Sequence, residues 1–385
     1  MNVEPLPEEN LEVLIRLPSG FPLDDIDELC SMLEEADPFI PAFEPADAGL
    51  YDLDAQLWSL LIDGNETVIL PDRNIVSRMA RMAKGDAIGR DARVIAGITA
   101  FAHWLDMQME PSIAFHEVAP QGGNAGALEE LAWFRAADHG DKFDFLDVAL
   151  GRRDQLAKAG TPRPLESHDL AKRLRDWSTS YGAVLKLADI ELNHRGKPIE
   201  KIMALLDWLH RDYFLSGHVA MMACVYFAPT DAPKAGLMKG LRSEDRERAI
   251  DGAKNATWDA VYLGSLISMA NESAGGPKRF IYASLDRGAR RIARMALAFG
   301  ADGPHPAEIE KILSEWWTPI EAASIADKLT EIVLELDTPA MEEKRRRASA
   351  AKPETIARGE LAIRSWSPKR RGKQSDAAQD GLPPG

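Results

Sequence analysis

The sequence predicts an α/β fold, helical over most of its length and organised around a small parallel sheet. Two observations carry this expectation. The stretches "ETVILPDRNIVSR" at 66–78 and "GGPKRFIYASLDRGARRIARMALAF" at 275–299 each pass from a β-branched or aromatic run, through an aspartate, into apolar residues at helical spacing. Between them, from about 125 to 240, the apolar residues recur almost everywhere at three- and four-residue intervals.

Residues 1–65 read as a helical amino-terminal extension. "DDIDELCSMLEEAD" at 24–37 and "DAQLWSLLID" at 54–63 have helical patterns, with a proline-rich bend between them. The block Glu66–Leu70 has the apolar composition of a strand buried on both faces, and Ile75, Val76, Met79 and Met82 then repeat at helical spacing. Asp72 therefore stands at a strand's carboxyl end, the edge at which open parallel sheets bind ligands. A helix is expected over 93–108, and "PSIAFHEVA" at 111–119 begins a further element. The helical segments of about 125–240 read as an insert, in which Pro198 suits a first helical position. Ser243 opens a long helix through "RERAIDGAKNATWDAVYLGSLISMAN", with a weak point at Gly252. The second strand, Phe280–Ser284, ends near Asp286 and leads into another helix. Helices near 306–316 and 319–336 begin at Pro306 and Pro319. The main domain is thus expected over 66–337, and 338–385, basic and poor in apolar periodicity, is expected to be a disordered tail.

Composition narrows the function classes. At 385 residues with 45% hydrophobic content, the chain can bury a substantial core. Its formal net charge of -15 offers no general surface for a polyanion, so a nucleic-acid contact must be local. Cys30 and Cys224 are too few for a disulfide framework or a zinc knuckle and fit a reducing cytoplasm. The amino terminus has no signal-peptide pattern, and the apolar block at 219–228 is about half of what a membrane span needs. "GGPKR" lacks the phosphate-loop pattern, and no histidine or cysteine spacing points to zinc.

The chemistry-bearing residues are acidic. Asp72 and Asp286 both follow predicted strands, so adjacent parallel strands would open both carboxylates onto one edge. Glu117 and Asp259 lie among apolar residues, where an isolated charge is costly. Four convergent carboxylates repel one another, and one or two Mg²⁺ or Mn²⁺ ions would hold them together. Such ions lower the pKa of a bound water and stabilise charge on a phosphodiester.

In their order, "VILPDRNIVS", "IAFHEVA", "NATWDAVYL" and "IYASLDRGARRIA" resemble the acidic signature of PIN-like ribonuclease domains, a fold shared with toxin nucleases. The resemblance covers roughly 66–120 and 245–300. It implies a PIN-like parallel sheet flanked by helices, enlarged here by the insert. Asp72, Glu117, Asp259 and Asp286 would be catalytic metal ligands, with Asn74 bracing the site through its amide. If "EELAWFRAAD" supplies the acidic helix, Glu129, Glu130 or Asp138 would replace Glu117. The 142 positions between Glu117 and Asp259 (259 minus 117) depart from compact members of the family and point to a large subgroup.

Arg287, Arg290, Arg291 and Arg294 form an i, i+3, i+4, i+7 stripe which, with Arg73 and Arg78, would hold phosphates beside the metal. The expected activity is an Mg²⁺- or Mn²⁺-dependent endoribonuclease acting on RNA in preference to DNA, with a protein regulator or antitoxin as a further partner. The competing expectation is a noncatalytic interaction module or an inert PIN-like binding domain. In that case Asp72 is a helix cap and the arginines form a solvated face. On either expectation His210 and His218 are satisfied core or boundary histidines.

Overall fold

The computed structural model describes residues 15–165, 168–172, 174, 176–230, 236–297, 305–336 and 338–367. Its architecture is α/β and mostly helical, with a small mixed sheet of four strands flanked by helices. The strands are β1 (Phe39–Pro41), β2 (Glu66–Pro71), β3 (Gln108–Met109) and β4 (Lys278–Ala283), in the spatial order β1-β4-β2-β3.

The two strands read from sequence are direct neighbours. β2 and β4 run parallel in full register from Glu66 opposite Lys278 to Pro71 opposite Ala283. Both end in buried residues, and the Asp72 amide donates to the Ala283 carbonyl at 2.8 Å, carrying the pairing one residue further. β3 joins the other side of β2 in parallel.

The expected purely parallel sheet is corrected at one edge. β1 pairs antiparallel with β4, Phe39 opposite Ala283 and Pro41 opposite Ile281. Phe39–Pro41, within the stretch read as a proline-rich bend, forms this edge strand, flanked by bonds from Ala42 N–H to the Phe280 carbonyl and from Ser284 N–H to the Pro38 carbonyl; proline is tolerated there because an edge need not donate on its free side. The helix before it, α1 (Leu23–Ala36), buries Ile26, Leu29 and Leu33 against α4 (Ala92–Trp104), and α2 (Leu53–Leu61), which follows β1, packs on α1, so this segment belongs to the core.

Three further helices position the site. α3 (Arg73–Lys84) starts immediately after β2 and packs on α5 (Ser112–Asp138), whose path is broken at Gly123 by a φ of 80°. α10 (Arg246–Glu272) lies against β4, and α11 (Arg287–Leu297) leaves β4 on the same edge. Helical segments do fill the region read as an insert: α6 (Lys142–Ala149), α7 (Trp177–Asn193), α8 (Pro198–Arg211) and α9 (Gly217–Phe227). α12 (Pro306–Leu313) and α13 (Pro319–Leu334) begin at the prolines expected to start them.

Residues 338–367, the described part of the expected disordered tail, are ordered. α14 spans Pro339–Ser365 and packs on α7 and α10. Its contacts use small groups and hydrocarbon stems: Ala348 and Ile363 are buried, a Cβ on Gly359 would lie 2.7 Å from Leu185 Cβ, and Lys344 donates to the carbonyls of Leu209 and His210. A glycine and a snorkelling lysine leave no large-apolar stripe to read. Residues 368–385 lie outside the described residues. No helix among the described residues is long and apolar enough to cross a membrane.

Candidate functional site

Asp72 caps α3 as it leaves β2. Its Oδ1 accepts the Ile75 amide at 2.9 Å, and its Oδ2 accepts the Ser284 hydroxyl at 2.6 Å. Burial, with only 6% of the residue exposed, pushes this carboxyl up in pKa. The Ser284 and Ile75 bonds oppose that shift, and the charge of Asp286 adds to it. The cap reading and a site reading are compatible, since each carboxylate oxygen keeps a second lone pair.

Asp286 lies three residues beyond the end of β4. It accepts the amides of Gly288 at 2.7 Å and Ala289 at 3.1 Å, and its own amide donates to Ser284 Oγ at 3.0 Å. The paired strand ends bring Asp72 and Asp286 to one edge of the sheet, with Ser284 bridging them.

The two helical acids face the same place. Glu117, half-buried on α5, is pushed up to about 8 by burial, then by the charge of Asp259, with Asp72 adding to the rise and Arg73 and Lys239 opposing it. Water reaches the Asp259 carboxyl on α10 while protein atoms crowd its other sides. This crowding, then Asp286 and Asp72, raises its pKa to about 7, against the opposing charge of Lys239. Exposure and crowding act oppositely here: crowding and the neighbouring carboxylates both push the pKa up, and access to water moderates the rise. Glu117 and Asp259 thus each feel two of the other three acids.

The alternatives for the second acid are engaged elsewhere. Glu130 forms a two-pronged bond with Arg73, both contacts at 2.8 Å, and Glu129 lies 3.5 Å from Lys84. Asp138 sits by His139 at 3.5 Å. Asn74 supports Asp72 through its backbone N–H, and its side chain is exposed.

The expected arginine stripe is corrected by its contacts. Arg290 is 9% exposed and donates to the carbonyls of Ala36 and Asp37, supplying donors to the open carbonyls at the end of α1. Arg294 pairs with Asp37 at 2.7 Å. Arg291 pairs with Glu315 at 3.4 Å and covers the Trp316 ring, and Arg78 pairs with Asp91 at 3.0 Å. Arg287 is exposed. The spacing that makes a stripe also turned its middle toward α1, and sequence alone does not show which neighbour a face meets.

Three residues escaped the sequence reading. Ser284 bridges the two strand-end aspartates. The Tyr262 hydroxyl, one turn after Asp259, is buried without a hydrogen-bond partner among the described residues and feels Glu117 and Asp72. Lys239 opposes the charge of both Glu117 and Asp259. Tyr262 carries a readable signal, a polar tip at i+3 from a suspected acid; Lys239, in a turn, carries none.

Four carboxylates are the hard oxygen donors that Mg²⁺ and Mn²⁺ prefer, and the acids with raised pKa are those a divalent charge would relieve. The donors fit such an ion in chemistry and charge. No three of them bring ligand atoms within 4.8 Å of one another, so seating an ion takes side-chain rotation. Among the described residues that spacing is met by His210, Glu331 and Glu335. There His210 Nε2 is 2.8 Å from Glu335, and the Lys328 ammonium is 3.0 Å from Glu331 and 3.5 Å from His210 Nδ1. Lys328 already supplies positive charge, which makes this group an ion-pair network between α8 and α13. Compared with known proteins, the chain matches no family model, no curated protein and no solved structure.

Proposed function

We propose that this chain is a metal-dependent nuclease of the PIN-like type, hydrolysing phosphodiester bonds at the edge where Asp72, Glu117, Asp259 and Asp286 meet. The observation that carries this reading is the junction of β2 and β4: two aspartates at the ends of paired parallel strands, with two further acids facing them from α5 and α10. RNA is the favoured substrate on the resemblance alone.

In this reading one or two Mg²⁺ or Mn²⁺ ions, when bound, acidify a water and stabilise charge on the phosphoryl oxygens. The chain's own part is preorganisation. Ser284 and the first turn of α3 fix the orientation of Asp72, and the first turn of α11 fixes Asp286. Arg73, held flat by its two bonds to Glu130, keeps its charge close enough to act on Glu117. Water attacks phosphorus in line as the bond to the leaving ester oxygen breaks and that oxygen takes a proton, with no covalent intermediate on the protein.

The rival reading, an inert binding module, draws on the arginines' engagement in structural pairs. Thermal unfolding across a Mn²⁺ titration, with cleavage of single-stranded RNA measured in parallel, separates the two. The nuclease gains about 2.7 kcal/mol at a metal concentration of one hundred times Kd, and Asp72→Asn removes both that gain and cleavage. A wild-type protein that gains nothing from Mn²⁺ and leaves RNA intact overturns the proposal.

A further inference from the structure

Gly252 interrupts α10 with the poorest helix former but proline, at a cost of about 1 kcal/mol relative to alanine. The fold explains its presence. A Cβ at this position would lie 1.8 Å from the carbonyl oxygen of Lys239 and 3.0 Å from its carbonyl carbon. The turn containing Lys239 therefore rests directly on the helix backbone. Gly236 and Gly240, with φ of 108° and 71°, shape that turn, and Leu237, Met238 and Leu241 bury their side chains beneath it. Ser243 N–H closes it on the Gly240 carbonyl at 2.8 Å.

This seating aims a charge. Gly252 and Asp259 are seven residues apart on α10, two turns on nearly the same face and roughly 10 Å along the axis, so the turn that carries Lys239 sits on the same face of the helix as the Asp259 site. Lys239 itself is exposed, and among the described residues no carboxylate lies within ion-pair distance of it. Its charge nonetheless acts on both Glu117 and Asp259. Arg73 and Arg78, by contrast, are committed to Glu130 and Asp91.

We infer that Lys239, held by the turn docked on Gly252, is the substrate-contacting cation of the carboxylate site, bonding a nonbridging phosphate oxygen of a nucleic-acid backbone. The inference rests on the nuclease reading and assigns the phosphate contact to a residue outside the arginine stripe. An exposed ammonium with rotatable donors suits a flexible polyanion that arrives and leaves, and a lysine serves there as a point charge.

The test compares wild type, Lys239→Ala, Lys239→Arg and Gly252→Ala in Mn²⁺ binding by calorimetry and in cleavage of a single-stranded RNA oligonucleotide at several salt concentrations. Lys239→Ala is expected to raise KM about tenfold, to flatten the dependence of log affinity on log salt by about 0.7, and to leave Mn²⁺ binding as tight or tighter. Lys239→Arg is expected to restore most of the loss. Gly252→Ala, which displaces the turn while keeping the lysine, is expected to raise KM likewise; if that variant fails to fold, the exposed Lys239 substitutions decide. A Lys239→Ala protein with wild-type KM and salt slope overturns the inference while leaving the nuclease reading standing. A wild-type protein that neither binds Mn²⁺ nor cleaves RNA removes the reading, and the inference with it.

Discussion

Ser284 donates its hydroxyl to Asp72 Oδ2 over 2.6 Å, joining residues 212 positions apart in the chain. The Ser284 Oγ in turn accepts the Asp286 amide at 3.0 Å. One buried hydroxyl thus orients both strand-end acids, because β2 and β4 finish opposite each other and leave Ser284 one residue past the pairing.

Ser284→Ala removes the donor and leaves the buried Asp72 carboxylate with less compensation for its lost hydration. A loss of about 1–3 kcal/mol in unfolding free energy is expected, as for a buried polar group deprived of its partner. Chemical denaturation in the absence of divalent ions measures it, and Ser284→Thr, which keeps the hydroxyl, is expected to lose less.

Asp259→Asn removes one of the repelling charges without changing shape. Without divalent ions the variant is expected to unfold at a higher temperature than wild type, since Glu117 and Asp286 lose a like-charged neighbour. The gain from Mn²⁺ is expected to shrink in the same protein. A thermal scan with and without Mn²⁺ reads both effects, and a variant that is less stable without metal contradicts the mutual repulsion described above.

The pH dependence follows from the same acids. Glu117 titrates in the folded chain at about 8, above its ordinary value of 4.5. In that interval the folded state binds more protons than the unfolded state, so its contribution to stability is complete below pH 4.5 and is lost as pH rises through 8. Without divalent ions, stability is expected to decline as pH rises from about 4.5 to about 8, and Glu117→Gln is expected to flatten that decline. Unfolding curves across this range give the comparison.

What the sequence revealed of this site was its local part. The β-branched block before Asp72 and the aromatic run before Asp286 announce two strands, because strand composition and the change of period act over a few residues. Pro198, Pro306 and Pro319 mark helix starts for the same local reason. Neighbour relationships were not visible. β1 is three residues long and contains a proline, so its pairing with β4 depends on a partner more than 200 positions away. Arg290 looks like any exposed arginine in its helix until α1 is laid over it. α14 buries large apolar side chains only near its two ends, Met341 and Ile363, and packs between them through Ala348, Gly359 and the Lys344 stem, which resemble a solvated basic segment when read alone.

Arg290 therefore has a structural role open to test. Arg290→Ala leaves the carbonyls of Ala36 and Asp37 without their donor and frees the salt bridge of Arg294 to Asp37 to reorganise. Destabilisation of about 1–3 kcal/mol is expected, with RNA affinity unchanged at a temperature where both proteins are folded. A variant of wild-type stability and weakened RNA binding would return Arg290 to the phosphate-binding rim.

His218 supplies an acid-side counterpart. Its Nε2 lies 2.9 Å from both the Ser180 and Ser216 hydroxyls, and its ring presses on α10 where a Cβ on Gly264 would come within 2.9 Å. Burial lowers its pKa to about 4 from an ordinary 6.5, with Asp176 opposing the shift. Between those values the unfolded chain binds the extra proton, so stability is held above pH 6.5 and falls as pH drops toward 4. The shift corresponds to a loss of up to about 3 kcal/mol, less to the extent that water reaches the ring. His218→Gln retains hydrogen-bonding capacity and cannot titrate. The difference in stability between wild type and this variant is expected to change over that interval, while the other titrating carboxylates, common to both proteins, cancel. A difference that stays constant from pH 7 to 4 would show that His218 ionises as freely in the fold as in the unfolded chain.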